Sequence, residues 1–164
     1  MIDFATKDAP PTRPAIRSIL LAALGGTIAV GLTALLKDVA HAPLVLGSFG
    51  ATCMLAFGFP QSPFSQPRNI IAGHCVSSFL GLTMLKLLGP SWFAVAFVVG
   101  LAIAAMLWLR VVHPPAGSNP VIVFLGAMDW DFLLVPTLIG AIVITCVAIF
   151  FNRYAQHERC PLYW

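Results

Sequence analysis

The stretch Val112-His113-Pro114-Pro115-Ala116-Gly117-Ser118-Asn119-Pro120 decides how this chain folds, because it sets a polar, helix-breaking segment between two strongly apolar ones. Pro114 and Pro115 lack backbone donors and exclude a smooth helix, while Gly117 permits a tight turn. A helix can begin again near Ser118. Within hydrocarbon, such a break persists only where protein or a water-filled cavity satisfies the freed backbone groups. It is therefore the first place to look for a ligand.

The composition around this break is that of an integral membrane protein. The chain has 164 residues, of which 59% are hydrophobic and 9% charged, and its mean hydropathy is +0.92. A soluble domain carries about 25% charged residues. The net charge of +3 comes from basic residues scattered singly between apolar runs. This pattern indicates membrane topology and gives no reason to expect a nucleic-acid partner.

Motifs for metal, cofactor or catalytic chemistry are not found in the sequence. The cysteines Cys53, Cys75, Cys146 and Cys160 show neither CxxC nor Cys/His metal spacing. No Walker loop suggests the use of ATP, and no strand-turn-helix elbow supports a Ser-His-Asp set. We expect no cofactor, no metal and no enzymatic activity.

The apolar segments predict the domain organisation. A cytoplasmic tail (1–15) precedes a transmembrane domain (16–152) with halves 16–88 and 91–152, and a second cytoplasmic tail (153–164) follows. Long spans of roughly the 20 residues that a bilayer needs are predicted at 16–36, 70–88, 92–109 and 132–151. A shorter apolar stretch covers 44–58.

Each half reads as a span, a short broken helix and a second span. His41-x-Pro43 precedes Gly47-Ser48, as His113-x-Pro115 precedes Gly117-Ser118. We predict an all-α polytopic bundle of two three-helix halves, related as an inverted repeat. Six full crossings or four with two re-entrant segments both fit, and the distribution of basic residues favours six. Six crossings bring two helix N-termini, each partly positive, near the midplane, where they attract an anion.

Several blocks resemble the HPP family of small integral membrane proteins. The blocks are His113-Pro114-Pro115-Ala116-Gly117, Gly47-Ser48-Phe49-Gly50-Ala51, Ser62-Pro63 with Gln66-Pro67-Arg68-Asn69, Gly73-His74, and Pro161-Leu162-Tyr163-Trp164. The resemblance implies transport. Relatives from cyanobacteria and chloroplasts are associated with nitrite movement, whereas most bacterial members have no assigned substrate. Nitrite is therefore the first candidate, and a bacterial inner membrane with both termini cytoplasmic is the expected location.

The two histidines near apolar segments are candidate substrate-binding residues. His113 fits a proton-linked group or a donor to an anion, because imidazole titrates near physiological pH. It also fits a helix terminator that bonds a carbonyl freed by the prolines. His74 lies about one turn inside its span, and either faces a polar path or bonds a neighbouring helix. Nitrite is the anion of a weak acid. A histidine that shares a proton with it would let the ion pass without an uncompensated charge in the hydrocarbon.

The remaining candidate substrate-binding residues surround the two breaks, and each has a structural alternative. Arg68 with Asn69 fits either a holder of anions at the pore mouth or a topology anchor. The hydroxyl and amide groups at the starts of the short helices fit either donors to an anion or caps of the helix start. Two glycines at these starts fit the turns of the backbone. The residues of this second group are Ser48, Ser118, Asn119, Gly47 and Gly117.

Two rival functions stay open on the sequence alone. One is a channel or transporter for another small solute, for which Asp129 and Asp131 matter more than Arg68. The other is a non-transporting component of a membrane assembly, in which the breaks serve packing. A homo-oligomer is expected in either case, since a lone small bundle seals a polar path poorly.

Overall fold

The computed structural model describes residues 13–40 and 46–164, with the backbone alone at 36–40. These residues form helices and no strand, which confirms the predicted all-α membrane bundle. The helices are α1 (Ile16–Ala40), α2 (Gly47–Gly58), α3 (Pro67–Leu88), α4 (Trp92–Leu109), α5 (Asn119–Leu125) and α6 (Ile139–Tyr154), with 3-10 turns at Pro63–Ser65 and Pro114–Ser118. Most of the first tail and the His41-x-Pro43 motif lie outside the described residues.

The bundle exposes apolar side chains on its surface and buries a set of polar side chains alongside its apolar core. Trp92 is 83% exposed and Trp108 84% exposed, whereas His74, His113 and Asn119 are each 0% exposed. This distribution suits a lipid environment, in which buried polar side chains bond across helices and apolar ones face the acyl chains. Four segments of the described chain are long and apolar enough to cross a membrane, namely Ile16–Leu35, Pro67–Leu88, Trp92–Leu109 and Leu133–Tyr154.

In the described residues, successive helices run in opposite directions between the two ends of the bundle. At one end, Asn152 of α6 donates to the Ala56 carbonyl of α2, and the start of α1 lies beside both. The first turn of α3 also meets the end of α4 there. We call this the arginine end. At the opposite Lys86 end, α3 meets the loop after α5.

These directions are the ones that a six-pass inverted repeat requires. A re-entrant α2 would return to the end where α1 finishes, yet α2 runs antiparallel to α1 and ends beside the start of that helix. The repeat itself stays a prediction.

Helix boundaries follow local sequence signals. The α4 helix begins where the Ser91 hydroxyl accepts the amide of Ala94, and it ends where Arg110 adopts a left-handed conformation. The last span is less regular than predicted. Its first part, Leu133–Leu138, is a wide distorted turn with a non-helical Val135 beside Pro136, and a regular helix begins only at Ile139.

At the Lys86 end, an exposed ion pair joins α3 to the loop after α5. Lys86 Nζ lies 2.9 Å from Asp129 Oδ1. The hydrogen bond from Lys86 and its positive charge hold the pKa of Asp129 below its ordinary value. Because both groups are exposed, the pair contributes little to stability. Asp129 therefore lies in the exposed loop after α5 at the Lys86 end.

The arginine end is covered by the C-terminal segment. The Leu162 amide donates to Gln66 Oε1 at 2.8 Å, and the Tyr163 hydroxyl donates to the Pro63 carbonyl at 3.1 Å. Residues 155–164 therefore pack against loop 59–66, which itself leads into α3.

Candidate functional site

One face of α3 carries the polar residues that hold the break between α4 and α5. Asn69, Gly73, His74, Ser77, Ser78 and Gly81 are all buried on α3. Their three- and four-residue spacing keeps them on one side of a helix. This face meets the Pro114–Ser118 turn and α5.

Two α3 side chains donate hydrogen bonds to backbone carbonyls of the break. Asn69 Nδ2 donates to the Val112 carbonyl at 2.9 Å, and Ser77 Oγ donates to the Ala116 carbonyl at 2.6 Å. The break is thus bonded by protein groups, as irregular backbone inside a membrane must be.

Arg68 has a structural role in this structure. Its guanidinium donates to the carbonyls of Leu109 at 3.2 Å and Arg110 at 3.0 Å, so it caps the end of α4. The side chain lies at the rim of the arginine end, apart from the buried histidines.

Two glycines let α3 approach the break closely. A Cβ atom at Gly73 would lie 2.8 Å from His113 Cβ and 3.0 Å from the Val111 carbonyl oxygen. A Cβ atom at Gly81 would lie 3.0 Å from Pro120 Cα. The positions of His113 and of the start of α5 therefore require residues without a Cβ atom at positions 73 and 81 of α3.

The centre of the site is a hydrogen-bonded cluster of His74, Thr52 and His113. Thr52 Oγ1 on α2 lies 2.9 Å from His74 Nε2 and 3.0 Å from His113 Nε2. The two imidazole centroids are 5.0 Å apart. One hydroxyl of the first broken helix thus joins the histidine of the break to the histidine of α3.

The outer nitrogens of the two imidazoles are also bonded. His113 Nδ1 lies 2.7 Å from the Phe64 carbonyl oxygen, and Asn119 Nδ2 lies 3.0 Å from His74 Nδ1. Asn119 Nδ2 also donates to Ser78 Oγ at 2.8 Å, and Ser78 bonds Thr137 at 3.0 Å. A continuous polar chain therefore crosses the interior from loop 59–66 to the start of the last span.

Unpartnered polar atoms surround this chain. Among the described residues, the buried side-chain oxygens or nitrogens without a partner belong to Ser48, Asn69, Asn119 and Thr145. The first three residues each bond the break or the cluster through another atom. Buried polar groups are nearly always bonded, so this spare capacity marks a place that can take a polar ligand.

The structure brings together His113, His74, Asn119 and Ser48 of the predicted site residues, with Asn69 beside them. It does not bring the others to the cluster. Ser118 is exposed and donates to the Pro115 carbonyl at 2.8 Å. Gly47 is exposed at the start of α2 and Gly117 is half-buried, and a Cβ at either would meet nothing within 4 Å.

Sequence reasoning missed Thr52, Ser77, Ser78 and Thr137. Thr52 and Thr137 lie in apolar surroundings in which a lone hydroxyl carries no signal. Ser77 and Ser78 were identifiable, because they continue the spacing of Asn69, Gly73 and His74 along α3. No group of three His, Cys, Asp or Glu side chains in the described part of the chain could hold a metal ion.

Replacing Ser77 with alanine is expected to lower the free energy of unfolding by about 0.5–1.5 kcal/mol, because the buried Ala116 carbonyl loses one of its two donors and keeps only the Asn119 backbone amide. Ser118→Ala is the matched control: it removes an exposed hydroxyl from the same turn and is expected to change stability by about 0.5 kcal/mol or less. Unfolding of both variants in detergent measures the difference. Equal stabilities for the two would contradict the role of Ser77.

Comparison with known proteins extends these observations. The family model described as "HPP, transmembrane region" matches residues 11–161. Two proteins of Dictyostelium discoideum, each named only as a transmembrane protein, are similar: one is 35% identical over 76% of this chain and 47% of its own length. The other is 33% identical over 73% of this chain and 41% of its own length.

The chain thus spans less than half the length of these relatives. No solved structure matches it. The family match covers all six helices and both breaks, together with the histidine cluster. On this evidence the chain belongs to the HPP transmembrane family.

Proposed function

We propose that this protein transports a small monovalent anion across the membrane, with nitrite as the first candidate, through the region where the two broken helices meet. The observation that carries the proposal is the buried His74–Thr52–His113 cluster. Ionisable groups inside a membrane are costly and usually mark paths for ions or protons. A break that served packing alone would need only the carbonyl bonds from Asn69 and Ser77.

The polar groups at the start of α2 favour an anion over a cation. The α2 helix begins without a side-chain cap, and the nearby Ser48 hydroxyl is buried and unpartnered among the described residues. A helix N-terminus with free donors is a natural anion site. The acidic side chains that the structure describes, Asp129, Asp131 and Glu158, lie in loops and at the C-terminal segment.

The first broken helix supports anion binding better than the second. The α5 helix has only seven residues. The backbone amide of Asn119 already donates to the Ala116 carbonyl, and Pro120 has no amide hydrogen. The 12-residue α2 helix carries both Ser48 and Thr52. We therefore assign anion selection to the α2 side of the cluster, with His113 and His74 as proton-linked partners.

The proposed location is the bacterial inner membrane, with the arginine end in the cytoplasm. Lys86 lies at the opposite end, whereas all six arginines lie near the arginine end. These are Arg13, Arg17, Arg68, Arg110, Arg153 and Arg159. Positively charged residues concentrate on the cytoplasmic side of membrane proteins. This orientation makes both ends of the transmembrane domain cytoplasmic.

We also propose a homo-oligomer. An apolar groove of about 780 Å³ opens on the surface between α3, α4 and the distorted turn, and Phe79, Trp108 and Trp130 line it. A chain with only six short passes leaves little protein between a polar path and the lipid. A second copy packed on this groove would add protein between the path and the lipid. Cross-linking in native membranes tests this assembly, with a single-chain band alone as the contradicting result.

Uptake into liposomes tests the transport proposal. Purified protein is reconstituted, and entry of nitrite, nitrate, formate and chloride is compared with protein-free vesicles at pH 5.5 and 7.5. Nitrite uptake above the protein-free rate is expected. His113→Gln is expected to reduce it by about tenfold or more, equivalent to about 1.4 kcal/mol of barrier.

His157→Gln is the matched control, because His157 is exposed in the C-terminal segment and does not contact the cluster. It is expected to retain uptake. No uptake of any tested anion at either pH would contradict anion transport and favour another solute or an assembly role.

A further inference from the structure

The hydrogen bonds around Thr52 require a definite number of hydrogen atoms. A threonine hydroxyl donates once and accepts twice. Thr52 Oγ1 has three partners: the Ser48 carbonyl at 3.0 Å, His74 Nε2 at 2.9 Å and His113 Nε2 at 3.0 Å. A carbonyl only accepts, so the Thr52 hydrogen points to Ser48. Both imidazole Nε2 atoms must then carry hydrogen.

The outer contacts fix the remaining hydrogens. His113 Nδ1 faces the Phe64 carbonyl, which also only accepts, so this nitrogen carries hydrogen as well. His74 Nδ1 instead accepts from the Asn119 amide. When every one of these contacts is a hydrogen bond, His74 is neutral and His113 holds hydrogen on both nitrogens. All contacts are satisfied together when the cluster holds one proton more than its neutral form.

We propose that this extra proton is the coupling ion: the cluster binds one proton on His113 together with one monovalent anion, and releases both together. This inference rests on the proposed function and deepens it. The substrate class is then the anion of a small weak oxo acid, carried without net charge. Thr52 is the positioning residue that adapts the cluster to either protonation state.

The step balances without any other reactant. A proton from water forms an N–H bond at His113 Nε2, and the Thr52 hydroxyl turns from His113 Nε2 to the Ser48 carbonyl. The anion neutralises the new imidazolium charge. On release the proton returns to water with the anion, and Thr52 again donates to His113. The only bond lost in the neutral state is the one from Thr52 to Ser48.

The surroundings leave the imidazolium charge for the anion to neutralise. Besides the two histidines, the titratable side chains on the packed elements are Cys53 of α2 and Arg68, Cys75 and Lys86 of α3. No acidic residue occurs on α2, α3, loop 59–66, the Pro114–Ser118 turn or α5. Arg68 and Arg110 at the rim are also positive. A buried charge needs a partner, and the described residues near the cluster supply none.

Nuclear magnetic resonance of ¹⁵N-labelled histidine in the purified full chain tests the proton site directly. His74→Gln and His113→Gln assign the signals. We expect His74 to stay neutral with hydrogen on Nε2, and His113 alone to take up a proton on acidification. Thr52→Val should move the His113 midpoint down by about one pH unit or more, because its Nε2–H loses its acceptor.

Two variants sharpen this test. Thr52→Ser restores the hydroxyl and should return the midpoint toward the native value. Thr33→Val removes a buried hydroxyl whose one partner among the described residues is the Val30 carbonyl of its own helix, and this change should leave the midpoint unmoved. Joint protonation of both imidazoles, or a His113 midpoint unmoved in Thr52→Val, would overturn the inference.

Transport under a clamped membrane potential separates this inference from the proposed function. One proton with each anion makes nitrite uptake independent of voltage and faster with an alkaline vesicle interior, above the rate of protein-free vesicles. Uptake that follows voltage and ignores the pH gradient would overturn the coupling and leave anion transport intact. No uptake would overturn the proposed function itself.

Discussion

Replacing Gly73 with alanine is expected to lower the free energy of unfolding by about 1–3 kcal/mol, because the added methyl group overlaps the break. Its carbon would lie 2.8 Å from His113 Cβ and 3.0 Å from the Val111 carbonyl oxygen. A Cβ atom has no torsion that relieves this overlap. The break must therefore move away from α3, which separates His113 from Thr52 and reduces uptake.

Gly100→Ala is the control for this prediction. Gly100 lies inside α4, where a Cβ atom would meet nothing within 4 Å, so the change is expected to raise stability by about 1 kcal/mol or less, because alanine favours a helix more than glycine does. Thermal unfolding and nitrite uptake are measured on both variants. A Gly73→Ala protein that is as stable and active as Gly100→Ala would contradict the close packing of α3 on the break.

Replacing Asn119 with leucine is expected to cost about 2–4 kcal/mol of stability, because it removes an amide from the middle of the buried polar chain. Asn119 Nδ2 bonds His74 Nδ1 at 3.0 Å and Ser78 Oγ at 2.8 Å. Leucine branches at the same carbon but is larger and has no donor, so the His74 and Ser78 atoms stay buried and lose a partner. His74 also loses the bond that fixes its tautomer.

Gln61→Leu tests whether replacing any hydrogen-bonded side-chain amide with leucine causes the same loss of stability. Gln61 is exposed and bonds Glu158 Oε2 at 2.7 Å and the Arg159 carbonyl at 3.2 Å. Exposed groups recover their bonds from water, so the expected change is below about 1 kcal/mol. Comparable losses for Asn119→Leu and Gln61→Leu in unfolding measurements would contradict the buried network.

Most of the fold follows from sequence patterns that act locally. The apolar run 92–109 coincides with α4, and the double proline ends regular helix where predicted. The last span was predicted as continuous, yet Pro136 and the non-helical Val135 distort its first six residues. The outcome at such a proline depends on which neighbours satisfy the freed carbonyls, and a single sequence does not record those neighbours.

The candidate site was only partly predictable for the same reason. His113, His74 and Asn119 stood out because polar groups are costly in apolar segments. The Thr52 hydroxyl is separated by 22 residues from His74 and by 61 from His113, and these three meet only through helix packing. The sequence left Arg68 open between an anion-holding group and a topology anchor, and in the structure its guanidinium donates to two carbonyls at the end of α4.

The most direct measurement is a nitrite titration of the purified protein with ¹⁵N-labelled histidines, followed by the imidazole signals. The account predicts that the His113 and His74 signals shift together and saturate, whereas His157 at the C-terminal segment stays unmoved. Cluster signals that remain fixed at nitrite concentrations supporting uptake in liposomes would contradict a pathway through His113 and His74.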